Sequence, residues 1–229
     1  MARVEIKGTI VSSDDKWIYD IFGIEAVCPK DVAKAIHDAN GSDLQIEVNS
    51  GGGDVFAGNE IYYLIHEYKG HTTADIVGFA GSAATIICCA ADRVRAVPGA
   101  MYMIHNVSGS GHGDYRALQH SSEVLKTANQ SISNIYRVKT GMTDKELLAL
   151  MDKESWMDAK EAKEKGFIDE IIGENGRLYN SCFANVLPPE VLEKVRNTMG
   201  NQNKNNSEFL MQKNKLELLR LKGEMRNEV

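Results

Sequence analysis

An α/β fold is predicted for this chain by three features. Short apolar segments alternate with polar residues in strand fashion, longer segments repeat apolar residues every 3.6 positions, and this strand-helix order recurs along most of the length. Short, parallel pairings covered by helices follow from it. Val4, Ile6 and Ile10 begin the first strand-like alternation, and a charged turn at Ser13 to Lys16 precedes the DIFG run around Ile21 and Phe22. Pro29 starts a helix with Val32, Ala35 and Ile36 on one face, and Asn40-Gly41 stops it. Leu44, Ile46 and Val48 form a half-buried strand that runs into NSGGG at 49–53. Gly58, Ile61, Ile65 and Tyr68 mark the next helix.

A strand at 76–79 then meets a Gly-Ser turn and the small, apolar segment Ala83 to Ala91. Strands at 93–97 and 101–104 flank Pro98-Gly99. A long helix covers Tyr115 to Lys139, a shorter one starts at Thr143 with Glu146 three residues on, and a helix-strand pair fills Ala159 to Ile172. Beyond Pro188-Pro189 a brief helix ends at Gly200, a polar NQNKNN linker follows, and Met211, Leu218, Leu221 and Met225 lie near a short heptad seam.

With 229 residues, 43% hydrophobic and 25% charged, the chain can bury a core without disulfide staples. Mean hydropathy is −0.30 and no apolar stretch is long enough for a bilayer. The net charge of −6 argues against a nucleic-acid binder working through a basic face. Residues 1–200 carry −8 and residues 201–229 carry +2, which places a break near residue 200. Cys28, Cys88, Cys89 and Cys182 form no CxxC pair and accompany no His cluster, so they read as core thiols of a reducing compartment, with no metal expected. The start, MARVEIKGTIVSSDD, has no secretion signal, and a cytoplasmic location is expected.

Three features carry chemistry. Gly51, Gly52 and Gly53 lie between a strand and a helix, where bare backbone N–H groups can receive a phosphate or an oxyanion, or simply make a tight turn. A phosphate loop is excluded: the GxxxxGK(S/T) lysine is missing, and Phe56 stands where GxGxxG needs glycine. Ser82 sits at a strand-to-helix turn with the Ala83 N–H beside it; taken alone it reads as an N-cap serine. His105 closes an apolar strand and taken alone reads as a core histidine. Together they supply a nucleophile, a general base and an oxyanion hole.

The segments GFAGSAA at 78–84, VPGAMYMIHN at 97–106, NSGGGDVFAG at 49–58 and ESWMDAKEAKEKGFIDE at 154–170 resemble, in order and spacing, the ClpP-type serine peptidases. The resemblance spans residues 1–175 and implies the ClpP/crotonase-like fold, a superhelix of ββα units. It also implies Ser82 as nucleophile, His105 as base, the N–H groups of Gly52 and Ala83 as oxyanion hole, and Glu154 as third member, with Asp152 the alternative orienter. Gly51 replaces the family's usual proline, and Ala83 its common methionine. The GGGDVFAG run, the Glu-x-Trp element and the polar carboxy-terminal extension look like the branch encoded by tailed phages and prophages. That branch trims capsid, scaffold or portal proteins during prohead maturation.

The resemblance further implies an ATP-independent endopeptidase without cofactor, acting on protein substrates within a homo-oligomeric ring, with no nucleic-acid or membrane partner. The helix at 115–139 is the expected ring contact, residues 1–197 the peptidase domain, and residues 198–229 a linker and amphipathic tail. A housekeeping subunit serving an ATP-driven unfoldase and a silent assembly component are the alternatives. A crotonase-type acyl-CoA enzyme has no need of both Ser82 and His105.

Overall fold

The structure, a computed structural model, describes residues 2–173. The expected boundary at 197/198, the linker and the tail lie outside the described residues. Among the described residues eight strands form one sheet: β1 (Ala2–Ile10), β2 (Ala26–Val27), β3 (Leu44–Gly53), β4 (Thr72–Gly81), β5 (Arg93–Ala96), β6 (Met101–Ile104), β7 (Ser155–Asp158) and β8 (Glu170–Ile171). Their order is β2-β1-β3-β4-β5-β8, with β6 paired to β4 and β7 to β6. Every pairing is parallel except β6 with β7. The predicted α/β class and its parallel pairings therefore hold.

Seven helices connect these strands among the described residues: α1 (Lys16–Phe22), α2 (Pro29–Ala39), α3 (Val55–His66), α4 (Ala83–Cys88), α5 (Tyr115–Thr140), α6 (Asp144–Asp152) and α7 (Ala159–Glu164). Local chemistry sets their ends. Pro29 opens α2 and Asn40 closes it in the left-handed region. Asp54 caps α3 by accepting the Phe56 and Ala57 N–H groups, both at 2.8 Å. Thr143 and Glu146 form the expected capping box of α6. Gly141 stops α5 at φ 72°.

The sequence left α1 and β7 without an assigned element of their own. The DIFG run belongs to α1, a seven-residue helix with no buried residue. Strand β7 was expected only as part of a closing segment; just one of its residues, Met157, is buried, so it shows no alternation to read.

Ile46, Val48, Ile61, Ile65, Ile76 and Ile87 are fully buried between the sheet and its helices, each burial stabilising by about 1.5–3 kcal/mol. Gly58 lets α3 approach α4 closely: a Cβ there would stand 3.1 Å from the Ala83 Cβ. The first residue of α4 is thereby held beside the glycine turn that precedes α3. No described helix is long and apolar enough to cross a membrane.

Candidate active site

Strand β4 changes partner along its length. Thr73 to Ile76 pair with β5, and Phe79 to Gly81 pair with β6 in the register Gly81↔Met103. The two strands end within one residue of each other, so the residues just past their ends, Ser82 and His105, become neighbours. The Ser82 N–H donates to the Met103 carbonyl at 2.9 Å, which locks that register at the site.

Ser82 occupies the N-cap position of α4, yet its side chain makes no capping bond. Its Oγ lies 2.7 Å from His105 Nε2 instead. The backbone there has φ 52° and ψ −124°, a conformation that costs a non-glycine residue on the order of 1–3 kcal/mol and persists only where the surroundings enforce it. Those surroundings are a buried network. Thr85 Oγ1 donates to the Ser82 carbonyl at 2.5 Å, Tyr136 OH bonds Thr85 Oγ1 at 2.6 Å, and Tyr102 OH donates to the Thr85 carbonyl at 3.2 Å. Burial raises both phenols well above their ordinary range, so they remain protonated donors.

Ser82, Ala83 and His105 line a cavity of about 270 Å³ with Gly53 and the apolar Ile86 and Ile132. Ala83, as the first residue of α4, has no intrahelical acceptor for its N–H. The glycine turn differs in detail from the expectation. The Gly52 N–H is donated to Ser50 Oγ at 3.1 Å, and Ser50 in turn donates to the Gly8 carbonyl at 2.6 Å. Gly52 contributes by lacking a side chain: a Cβ would lie 2.7 Å from Ser82 Cβ and 2.8 Å from the Ala83 nitrogen. Gly53 is the turn residue that lines the cavity. Gly53 shares that cavity with Ser82 and Ala83, which makes its N–H the candidate second oxyanion donor beside that of Ala83. Nothing in the spacing of three consecutive glycines separates these roles.

The two candidate third members are not on His105. Asp152 Oδ1 accepts from Asn106 Nδ2 at 2.8 Å, and Glu154 Oε1 accepts from Trp156 Nε1 at 3.1 Å. Strands β6 and β7 pair up to Ile104↔Ser155, so His105, just past β6, and Glu154, just before β7, adjoin the same end of that pair. Glu154 has φ 50°, and the Trp156 that holds its carboxylate stacks on Phe79 with ring centroids 5.4 Å apart.

Sequence reading missed Ser50, Thr85, Tyr136 and Asn106, and within the glycine turn it assigned the donor to Gly52 where Gly53 lines the cavity. Only Ser50 carried a signal, as a polar residue at an inward position of a half-buried strand.

Behind the site, Cys88 is fully buried and burial raises its thiol far above the ordinary range, while Cys89, half-buried, is pushed up to about 12 by desolvation. The thiolate is the reactive form, so neither residue is expected to react with a disulfide reagent at about pH 8 until the protein unfolds. Mass spectrometry of the native protein after treatment checks this, and labelling at Cys88 without denaturant would contradict it.

A family model described as Clp protease matches residues 32–175. The chain is 34% identical over 131 residues to the ATP-dependent Clp protease proteolytic subunit of Chlorella vulgaris, covering 56% of this chain and 65% of that one. It is 31% identical over 140 residues to the subunit of the same description from Streptococcus mutans, covering 59% and 71%. The chain thus spans just under two thirds of the length of the Chlorella relative. Among solved structures, a ClpP1 point mutant from Listeria monocytogenes superposes with a TM-score of 0.62 at 23% identity, covering 76% of this chain and 92% of that one.

Proposed function

We propose, since the chain belongs to the Clp protease family, that it is a serine endopeptidase working through an acyl-enzyme on Ser82. The observation that carries this reading is the 2.7 Å contact between Ser82 Oγ and His105 Nε2 at a turn where the serine caps nothing. His105 takes the Ser82 proton as Oγ attacks the scissile carbonyl carbon, and the oxyanion is received by the Ala83 and Gly53 N–H groups. His105 then protonates the leaving amine, and a water repeats the cycle to release the acid. Each oxyanion donor contributes on the order of 3 kcal/mol to the transition state. No step requires a metal or a nucleotide. A fluorophosphonate probe is expected to label the wild type and not Ser82→Ala; equal labelling of both would refute the assignment.

For the third member we favour Glu154, which reaches His105 by leaving Trp156 through a side-chain rotation. Glu154→Gln is then expected to lower kcat by about 10²–10⁴-fold, as loss of a triad carboxylate does elsewhere. Asp152→Asn, which removes only the partner of Asn106, is expected to cost less. Steady-state kinetics of the two variants decide between them, and the reverse order would make Asp152 the orienter.

The physiological role we favour is ATP-independent trimming of phage capsid, scaffold or portal proteins within a homo-oligomeric ring. Its support is the resemblance of the glycine turn, the Glu-x-Trp element and the polar extension to the phage branch. Co-expression with head-protein precursors checks it: processing by the wild type and not by Ser82→Ala is expected. A second reading has its own support, since the matched relatives are described as proteolytic subunits of an ATP-dependent protease. Recovery of an ATP-driven unfoldase bound to the full chain would favour that reading.

A further inference from the structure

Helix α1 buries none of its residues, yet it carries Trp17, Ile18, Ile21 and Phe22, and Ile24 follows it; Phe22 and Ile24 are each 51% exposed. Surface exposure of that much apolar area in one short stretch is unusual unless something covers it. Its inner side forms one wall of a groove of about 660 Å³, a size typical of ligand clefts. Ile18, Tyr19, Phe22 and Ile24 face Ile10 and Val11 across the groove. The two carboxylates at its rim are already engaged, since Asp15 Oδ2 accepts from Ser12 Oγ and Asp54 caps α3. Between these two hydrogen-bonded carboxylates the walls of the groove are mostly apolar.

Its place in the fold says what it holds. The groove lies over the carboxyl ends of β1 and β3, and the catalytic cavity lies over those of β3 and β4 along the same edge of the parallel sheet, where α/β proteins receive ligands. Gly53 and Asp54 line both. A chain seated with its scissile carbonyl at Ser82 and the Gly53 N–H is thus led past Asp54 into the groove.

We propose that the groove beneath α1 is an extended subsite for the substrate polypeptide, taking aliphatic or aromatic side chains beyond the residue held in the catalytic cavity. This rests on the peptidase reading above. The occupant is a substrate segment because the groove is continuous with the cavity that holds Ser82, and an apolar segment because Ile10, Val11, Ile18, Phe22 and Ile24 form its walls.

The test compares peptides that share one cleavage site and carry leucine or phenylalanine, or else serine, at the positions flanking the pocket residue. In the wild type the kcat/KM ratio of apolar to serine peptides is expected to be about 10 or more, the discrimination an apolar pocket provides. In Ile18→Ser/Phe22→Ser that ratio is expected to fall to about 1. Because α1 contributes nothing to the core, the double variant folds, which its melting curve verifies. Anisotropy of a fluorescent apolar peptide on full-length Ser82→Ala gives a second readout independent of turnover, with affinity expected to fall when the two groove substitutions are added. An unchanged ratio and unchanged affinity overturn the subsite while leaving Ser82 labelling intact; loss of labelling in the wild type is instead the failure of the peptidase reading. A double variant that changes assembly mass but binds peptide as before makes a second copy of the chain the occupant, and also overturns the proposal.

Discussion

Ser82→Ala is expected to lower peptide hydrolysis by about 10⁴–10⁶-fold without unfolding the protein. The nucleophilic Oγ is lost, and neither His105 nor the oxyanion donors can replace the acyl intermediate; what remains is the modest rate that binding and the donors give an attacking water. The fold is spared because Ser82 Oγ caps no helix and its one hydrogen bond is to His105 Nε2, in a cavity where water can take its place. Alanine tolerates φ 52° no worse than serine does, and the bonds that enforce that angle, from the Ser82 N–H to Met103 and from Thr85 to the Ser82 carbonyl, use only backbone atoms of residue 82. Hydrolysis of casein or of a precursor protein, followed alongside the melting temperature, checks both halves. Wild-type rates in the variant would remove Ser82 as the nucleophile, and no hydrolysis by the wild type would make the chain a silent assembly component.

Gly52→Ala is expected to have the next largest effect, although Gly52 donates no hydrogen bond to the reacting atoms. Its φ of 96° is strained for alanine by about 1–3 kcal/mol. The added Cβ would stand 2.7 Å from both the Gly81 carbonyl oxygen and Ser82 Cβ, and 2.8 Å from the Ala83 nitrogen. These are backbone atoms and the root of a side chain, so no rotamer change relieves the contact. The glycine turn must retreat from the start of α4, which separates the Gly53 and Ala83 N–H groups. Loss of a donor lowers kcat by about 10²–10³-fold. The melting temperature is expected to fall by several degrees, at about 2–4 °C per kcal/mol for a domain of this size. Gly51→Ala is the control: its Cβ would meet only Phe79 Cε1, at 3.8 Å. Near-normal kinetics in that variant and not in Gly52→Ala would localise the effect to the close approach at Ser82.

Local chemistry made much of the fold legible. Pro29 and Asn40-Gly41 bracket α2, Thr143 and Glu146 announce α6, and the alternation at Leu44, Ile46 and Val48 marks β3, because each signal acts between residues a few positions apart. Helix α1 was harder to read because its apolar residues do not enter the core, so the pattern has no buried partner to serve. Strand β7 is short, and its partner β6 lies about 50 residues earlier in the chain, a pairing that no local pattern encodes.

The candidate site divides along the same line. The class of the fold, the turn chemistry at Gly51 to Gly53, and the presence of a serine and a histidine at the ends of two strands are all legible in local sequence. Tertiary structure alone decided that β4 switches from β5 to β6 so that those two ends meet, that Ser82 faces His105 instead of capping α4, and that Gly52 gives its N–H to Ser50 and its bareness to Ser82 while Gly53 faces the cavity. The physical reason is range. Periodicity, caps and turn residues act within a turn or two of chain, whereas hydrogen bonds and close contacts between residues 23, 30 or 50 positions apart depend on which strands lie side by side, and that is a property of the packed sheet.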